Sequence, residues 1–204
     1  MRFFKIQLLI IALFAFVGGA ALATPYYIEV TVDTSSLDGS GGYLYFQYTP
    51  ANGADSTATI TDYTGGYLAP FRSSEVDGSA VTGLLPGEVV FANTNGINDY
   101  NQGIAFDNSI LFRIFFSDPA PGGQVGGSST FSLGLFQDEF GGTPLLTQDG
   151  TLFAANLMND GSVTSDVFAP GVRADVIPEA NTLWLFGSGL LGLLGVGRKM
   201  KMKK

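Results

Sequence analysis

The side chains able to do chemistry here are carboxylates, amides and tyrosines, because the chain has no histidine and no cysteine. No lysine stands between Lys5 and Lys199. These absences remove Ser-His-Asp and Cys-His nucleophilic machinery, His/Cys zinc sites and, in that span, lysine bases. A pair of carboxylates could still hydrolyse a glycoside. Asp138 and Glu139 are adjacent, but neighbours on a strand face opposite ways, so the fold would have to supply another partner; an enzyme is not expected. The span Asn93-Thr-Asn95-Gly96-Ile-Asn98-Asp99 gathers several oxygens. Calcium takes carboxylate and carbonyl oxygens from irregular loops, so Asn93, Asn95 and Asp99 are the candidate ligands for a Ca²⁺ ion, the one cofactor considered. The same span suits an Asn/Gly turn with solvated side chains, and Asp33 with Asp38 has the same two readings. Tyr43 and Tyr45 are candidate glycan contacts, since tyrosine offers an apolar face with a polar tip.

The elements that would position these residues are strands. Ile28, Val30 and Val32 alternate with polar residues, and Leu44, Phe46 and Tyr48 alternate with Tyr43, Tyr45 and Gln47. That period of two predicts half-buried strands with the first residue set of each inside. It leaves Tyr43 and Tyr45 on the outer face. Further strands are predicted at Thr57 to Tyr63, Val89 to Phe91, Ile110 to Phe116 and through Phe131, Leu133 and Leu135. Thr151 to Met158 and Ser162 to Phe168 flank Asn159-Asp160-Gly161, a hairpin signal. Val172 to Ile177 reads as a last edge strand, and Asp166 to Ile177 as a partial tether between the body and its C-terminal anchor. Gly- and Pro-rich clusters, such as Asp38-Gly-Ser-Gly-Gly42 and Pro119-Ala-Pro-Gly-Gly123, break the strands. The pattern predicts an all-β antiparallel β-sandwich, jelly-roll-like, over residues 24–177.

This body is acidic. It holds seventeen carboxylates against three arginines (Arg72, Arg113, Arg173), a net charge of −14 compared with −8 for the whole chain. Such a surface repels phosphates, so nucleic acid is not an expected partner.

Both ends are apolar and uncharged over long runs. Residues 1–23 read as a secretory signal peptide: Arg2 and Lys5, an apolar core from Ile6 to Val17, and Ala21-Leu22-Ala23 as the cleavage signal before Thr24. At the other end, Ala180 to Gly197 carries no charge over 18 residues, about 27 Å as a helix, near the short end of the membrane-spanning range. Trp184 suits an interfacial position. Arg198, Lys199, Lys201, Lys203 and Lys204 form a basic end that stays cytoplasmic. Gly187, Gly189 and Gly192 match a dinucleotide fingerprint in spacing alone. No acidic residue follows at the required distance, and the glycines read as membrane-helix composition.

The order Pro178-Glu179-Ala180, apolar helix, basic end resembles the PEP-CTERM sorting tail of Gram-negative bacteria, with Ala180 where that motif has its second proline. The resemblance covers residues 178–204. It implies an exosortase-type membrane protease as partner and transient insertion in the inner membrane. It further implies delivery of the exported body to the cell surface or extracellular matrix, in a setting of exopolysaccharide and biofilm. Val32-Asp-Thr-Ser-Ser-Leu-Asp-Gly39 with Gly42-Tyr-Leu-Tyr-Phe-Gln47 resembles an ectodomain found on such proteins. The expectation is a non-enzymatic exported surface protein. The alternatives are a carbohydrate- or calcium-binding module and a carboxylate-dependent glycoside hydrolase.

Overall fold

The computed structural model describes residues 26–49, 56–70, 76–78, 80–92, 96, 98–117, 128–158 and 161–178. The leader 1–23 with Ala21 and Ala23, Thr24, the amides Asn93 and Asn95, the turn residues Asn159 and Asp160, and the tail from Glu179 onward lie outside them. That tail includes Ala180, Trp184, Arg198, Lys199 and Lys201.

The described residues are almost wholly β. The strands are β1 (Tyr26–Asp33), β2 (Gly41–Thr49), β3 (Thr57–Thr64), β4 (Tyr67–Leu68), β5 (Val76–Asp77), β6 (Val81–Gly83), β7 (Val89–Ala92), β8 (Asn98–Ala105), β9 (Ser109–Phe116), β10 (Ser128–Phe136), β11 (Thr151–Met158), β12 (Val163–Val167) and β13 (Val172–Pro178). One 3-10 turn, Ser35–Leu37, follows β1. One sheet has the order β13-β1-β9-β3-β7-β6. The other has β12-β11-β10-β2-β8-β4, with β5 also paired to β8. Every strand pairing is antiparallel.

The two sheets pack face to face through the alternate residues that the period of two singles out. Ile28, Val30 and Val32 of β1, Ile110, Phe112 and Ile114 of β9, Leu44, Phe46 and Tyr48 of β2 and Phe131, Leu133 and Leu135 of β10 are all fully buried. Aromatic rings lock across the interface. Phe46 meets Phe112 edge-on at 5.4 Å, and Phe91 meets Phe131 edge-on at 5.6 Å. Edge-to-face pairs of this kind add about 0.5–1.5 kcal/mol to the burial of their area.

Three short strands, β4, β5 and β6, and one long strand, β8, were not anticipated from the pattern. β8 takes in Asn98 and Asp99, which the sequence places in a turn. Its inward positions are Asn98, Tyr100, Gln102 and Ile104, so hydropathy does not alternate along it. The Tyr100 ring still packs on Phe46 and Phe91, and hydrogen bonds serve the polar groups. Asn98 Nδ2 donates to the Ala92 and Gly96 carbonyls at 2.8 and 3.1 Å. The Tyr100 hydroxyl donates to Gln102 Oε1 at 3.0 Å and accepts from the Leu85 amide at 3.0 Å. Buried amides and hydroxyls are tolerated when paired in this way.

The tether reading is corrected. Asp166 belongs to β12, and β13 pairs with β1 over seven residues, from Tyr26↔Pro178 to Val32↔Val172. This segment belongs to the sandwich because Val172 and Ala174 pack on the core. Pro178 fits the end of β13 since β13 is an edge strand and proline has no amide to give a further neighbour.

Candidate functional site

The outer face of the β2/β8/β10 region collects the polar and aromatic candidates. Register places Tyr43 opposite Gly103, Tyr45 opposite Asn101 and Gln47 opposite Asp99. On the other side of β2, Phe136 of β10 stands opposite Tyr43 and Gly134 opposite Tyr45. Residues 137–150 then fold back over this face. The Leu145 amide donates to the Leu135 carbonyl at 2.9 Å, and the Gln137 amide to the Thr143 carbonyl at 2.8 Å. Gly150 has φ +84, and a Cβ there would lie 2.3 Å from the Phe136 ring, so only glycine admits the close return.

That return separates the two tyrosines. Tyr45 is a support under the 137–150 segment. Its hydroxyl donates to the Glu139 carbonyl at 3.0 Å, and its ring meets Phe136 edge-on at 5.3 Å. Asn101 Nδ2 donates to the same carbonyl at 2.6 Å. Burial raises the Tyr45 phenol above its ordinary range, with Asp99 adding to the effect. Tyr43 is half-buried and lines an open groove of about 560 Å³ with Tyr67, Pro70, Gly103 and Gln137. Tyr67 is 76 % exposed. The sequence reading missed Tyr67. Its only local signal is Gly65-Gly66 just before it, a turn able to restart a strand. Gln137 had no signal, because its place depends on the 137–150 return.

Asp138 and Glu139 lie in the turn that starts this segment, not on a strand. Asp138 Oδ1 accepts the Phe140 amide at 3.1 Å and the Gly142 amide at 3.0 Å. The Gly142 amide, first among several donors, holds its carboxyl below the usual carboxylate range. Such a group accepts hydrogen bonds and is poorly suited to give up a proton as a general acid near neutrality. The turn presents Phe140 at its tip, 87 % exposed.

Asp99 is the one candidate calcium ligand within the described residues. It is a strand residue whose Oδ1 accepts from Gln47 Nε2 at 2.9 Å, and it stands opposite Asp77 of β5. Burial pushes its carboxyl up, the Gln47 bond partly offsets this, and Asp77 raises it further. Among the described residues no group of three or more carboxylates gathers as a metal cluster would. Asp33 serves its turn, accepting the Ser35 amide at 3.0 Å as the 3-10 turn opens.

The raised Asp99 carboxyl has a measurable consequence. The folded state holds this proton more tightly than the unfolded chain does. Asp99 therefore favours folding at low pH and loses that contribution as pH rises from 3.8 through its elevated folded value. Asp99→Asn keeps an acceptor for Gln47 and removes the charge beside Asp77. Its melting temperature is expected to rise above that of the wild type near pH 7, with the difference shrinking toward pH 4. A constant difference across that range contradicts the assignment.

The opposite sheet carries Arg113 on its outer face. Its guanidinium bonds Glu29 and Asp62 at 3.0 Å each and lies 5.1 Å over the Tyr27 ring. These groups satisfy one another, and pairs this exposed contribute about 0–1 kcal/mol.

Comparison with known proteins found no matching family, no similar curated protein and no similar solved structure. Among the described residues no helix is long and apolar enough to cross a membrane; the run from Ala180 to Gly197 lies outside them.

Proposed function

We propose that this chain is an exported, non-enzymatic surface protein, delivered through its C-terminal sorting tail and carrying a β-sandwich as its body. The observation that carries the reading is the pairing of Tyr26 with Pro178. Neighbouring strands lie roughly 4.8 Å apart, so the first and last residues of the sandwich stand side by side at one end of one sheet. A leader before Tyr26 and a membrane helix after Pro178 would then leave the body at the same point. The sorting motif begins where the edge strand ends, with no intervening linker. The finer fold reading belongs to the same proposal: a cleaved signal peptide, a C-terminal transmembrane helix and a jelly-roll-like wrapping. The wrapping draws support from β1, β2 and β3, and from β8, β9 and β10, which alternate between the two sheets.

In this reading the partner is an exosortase-type membrane protease. The body passes through a membrane-held intermediate on its way to the cell surface or extracellular matrix, where exopolysaccharide is the expected surrounding. The basic end anchors the intermediate, since moving each cation into hydrocarbon costs about 2.5–3.5 kcal/mol on the insertion scale.

The test is fractionation of a host that carries the protease, with an antibody to the body. Wild type is expected to reach the surface or medium as a shortened form. Glu179→Ala, and a variant lacking Arg198 to Lys204, are expected to leave full-length precursor in the membrane or misplaced. Identical size and location for wild type and Glu179→Ala removes the sorting role of the motif.

A further inference from the structure

We infer that the groove between Tyr43 and Tyr67 binds a chain of neutral sugars. Tyr67 is largely exposed, and Tyr43 lies across the groove from it on β2. Among the described residues, none that lines the groove is charged, in a body whose net charge is −14. An acidic body repels a polyanion, whereas the uncharged described lining, with its two tyrosines, suits a ligand with apolar C–H faces and hydroxyl edges. The Gln137 side chain can both donate to and accept from hydroxyls.

The walls are held in place before any ligand arrives. β4 pairs with β8 through Tyr67↔Ala105 and Leu68↔Ile104. The Ala69 amide donates to the Gly103 carbonyl at 2.8 Å, and Gln102 Nε2 donates to the Ala69 carbonyl at 2.9 Å. Gly103 keeps the floor low, since a Cβ there would lie 3.1 Å from Ala69 Cβ and 3.5 Å from the Tyr43 ring. A pre-formed site loses less entropy on binding. The groove is open to solvent, so an internal segment of a polysaccharide can enter it. The inference is independent of how the chain is sorted.

Affinity electrophoresis of the full-length chain in detergent tests it. The neutral arm is laminarin, cellohexaose, dextran and galactomannan; the anionic arm is alginate and polygalacturonate. At least one neutral glycan is expected to bind. Tyr67→Ala should weaken that binding about tenfold, as loss of an aromatic anchor does, with an unchanged melting temperature because the ring is exposed. Tyr67→Phe keeps the stacking face and should stay within about twofold. The inference is overturned by no binding to any neutral glycan, by binding confined to the polyanions, or by neutral-glycan binding that Tyr67→Ala leaves intact. Equal loss in Tyr67→Phe and Tyr67→Ala overturns the stacking role.

Discussion

Phe131→Ala is expected to destabilise the sandwich by about 3–5 kcal/mol, the range for removing a fully buried phenylalanine. Phe131 is the ring on which both sheets converge. It lies 6.1 Å from Phe46 and 6.4 Å from Tyr48 within its own sheet, and 5.6 Å from Phe91 and 6.5 Å from Phe116 in the other. Truncation leaves a cavity that four rigid neighbours on paired strands cannot close by small shifts. Against a typical total of about 5–15 kcal/mol, such a loss removes a large fraction of the stability. Urea unfolding followed by near-ultraviolet circular dichroism measures it. Phe140→Ala is the control. Phe140 is 87 % exposed, so its loss should change stability by no more than about 0.5 kcal/mol. Equal effects at the two positions would contradict the packing described here.

Removing β13 is expected to have an effect of similar or greater size. A chain ending at Gly171 loses the seven-residue pairing with β1. Val172 and Ala174 no longer cover the core, and β1 becomes an edge that carries Ile28, Val30 and Val32. An unprotected edge of that kind pairs with other chains. The truncated protein is expected to aggregate or elute as oligomers in size-exclusion chromatography. A chain ending at Pro178 is expected to remain soluble and to unfold cooperatively. This contrast bears on the proposed sorting. Cleavage at or beyond Glu179 leaves β13 in place, so the released body keeps its fold, whereas cleavage within β13 destroys it. If the shorter chain proves as stable and monomeric as the longer one, the last strand is dispensable.

The strands were legible wherever one face meets the core and the other meets water. Along β1, β2, β9 and β10 that asymmetry writes itself into alternating residues, and the inward sets read from the pattern are the buried sets observed. β8 was illegible for the opposite reason. Its inward Asn98, Tyr100 and Gln102 are polar, and Asn98 Oδ1 stays buried without a partner among the described residues. The Asn98 and Gln102 amide nitrogens donate to the Ala92, Gly96 and Ala69 carbonyls, and Tyr100 bonds Gln102. Those partners are distant in sequence or set by the fold, so no local period announces them. Asp99 consequently looked like a loop oxygen when it is a paired strand residue.

The candidate site divides along the same line. Strand alternation alone puts Tyr43 and Tyr45 on the outer face, because successive side chains of a strand point to opposite sides of the sheet. Their separate roles come from long-range contacts. Glu139 arrives over Tyr45 from 94 residues away in sequence, and β4 brings Tyr67 to the opposite side of β8 from Tyr43 only by pairing with β8. By itself the sequence determined the all-β class, the residues that face inward, the acidic character of the body and the exclusion of histidine and cysteine chemistry. These depend on residue type and on spacing of a few positions. The tertiary structure alone decided which tyrosine is capped and which lines a groove, and that the last strand of the sandwich closes against its first. Such relations follow from strand register, in which one hydrogen-bonded pairing out of many alternatives brings residues far apart in the chain to within a strand's width of each other.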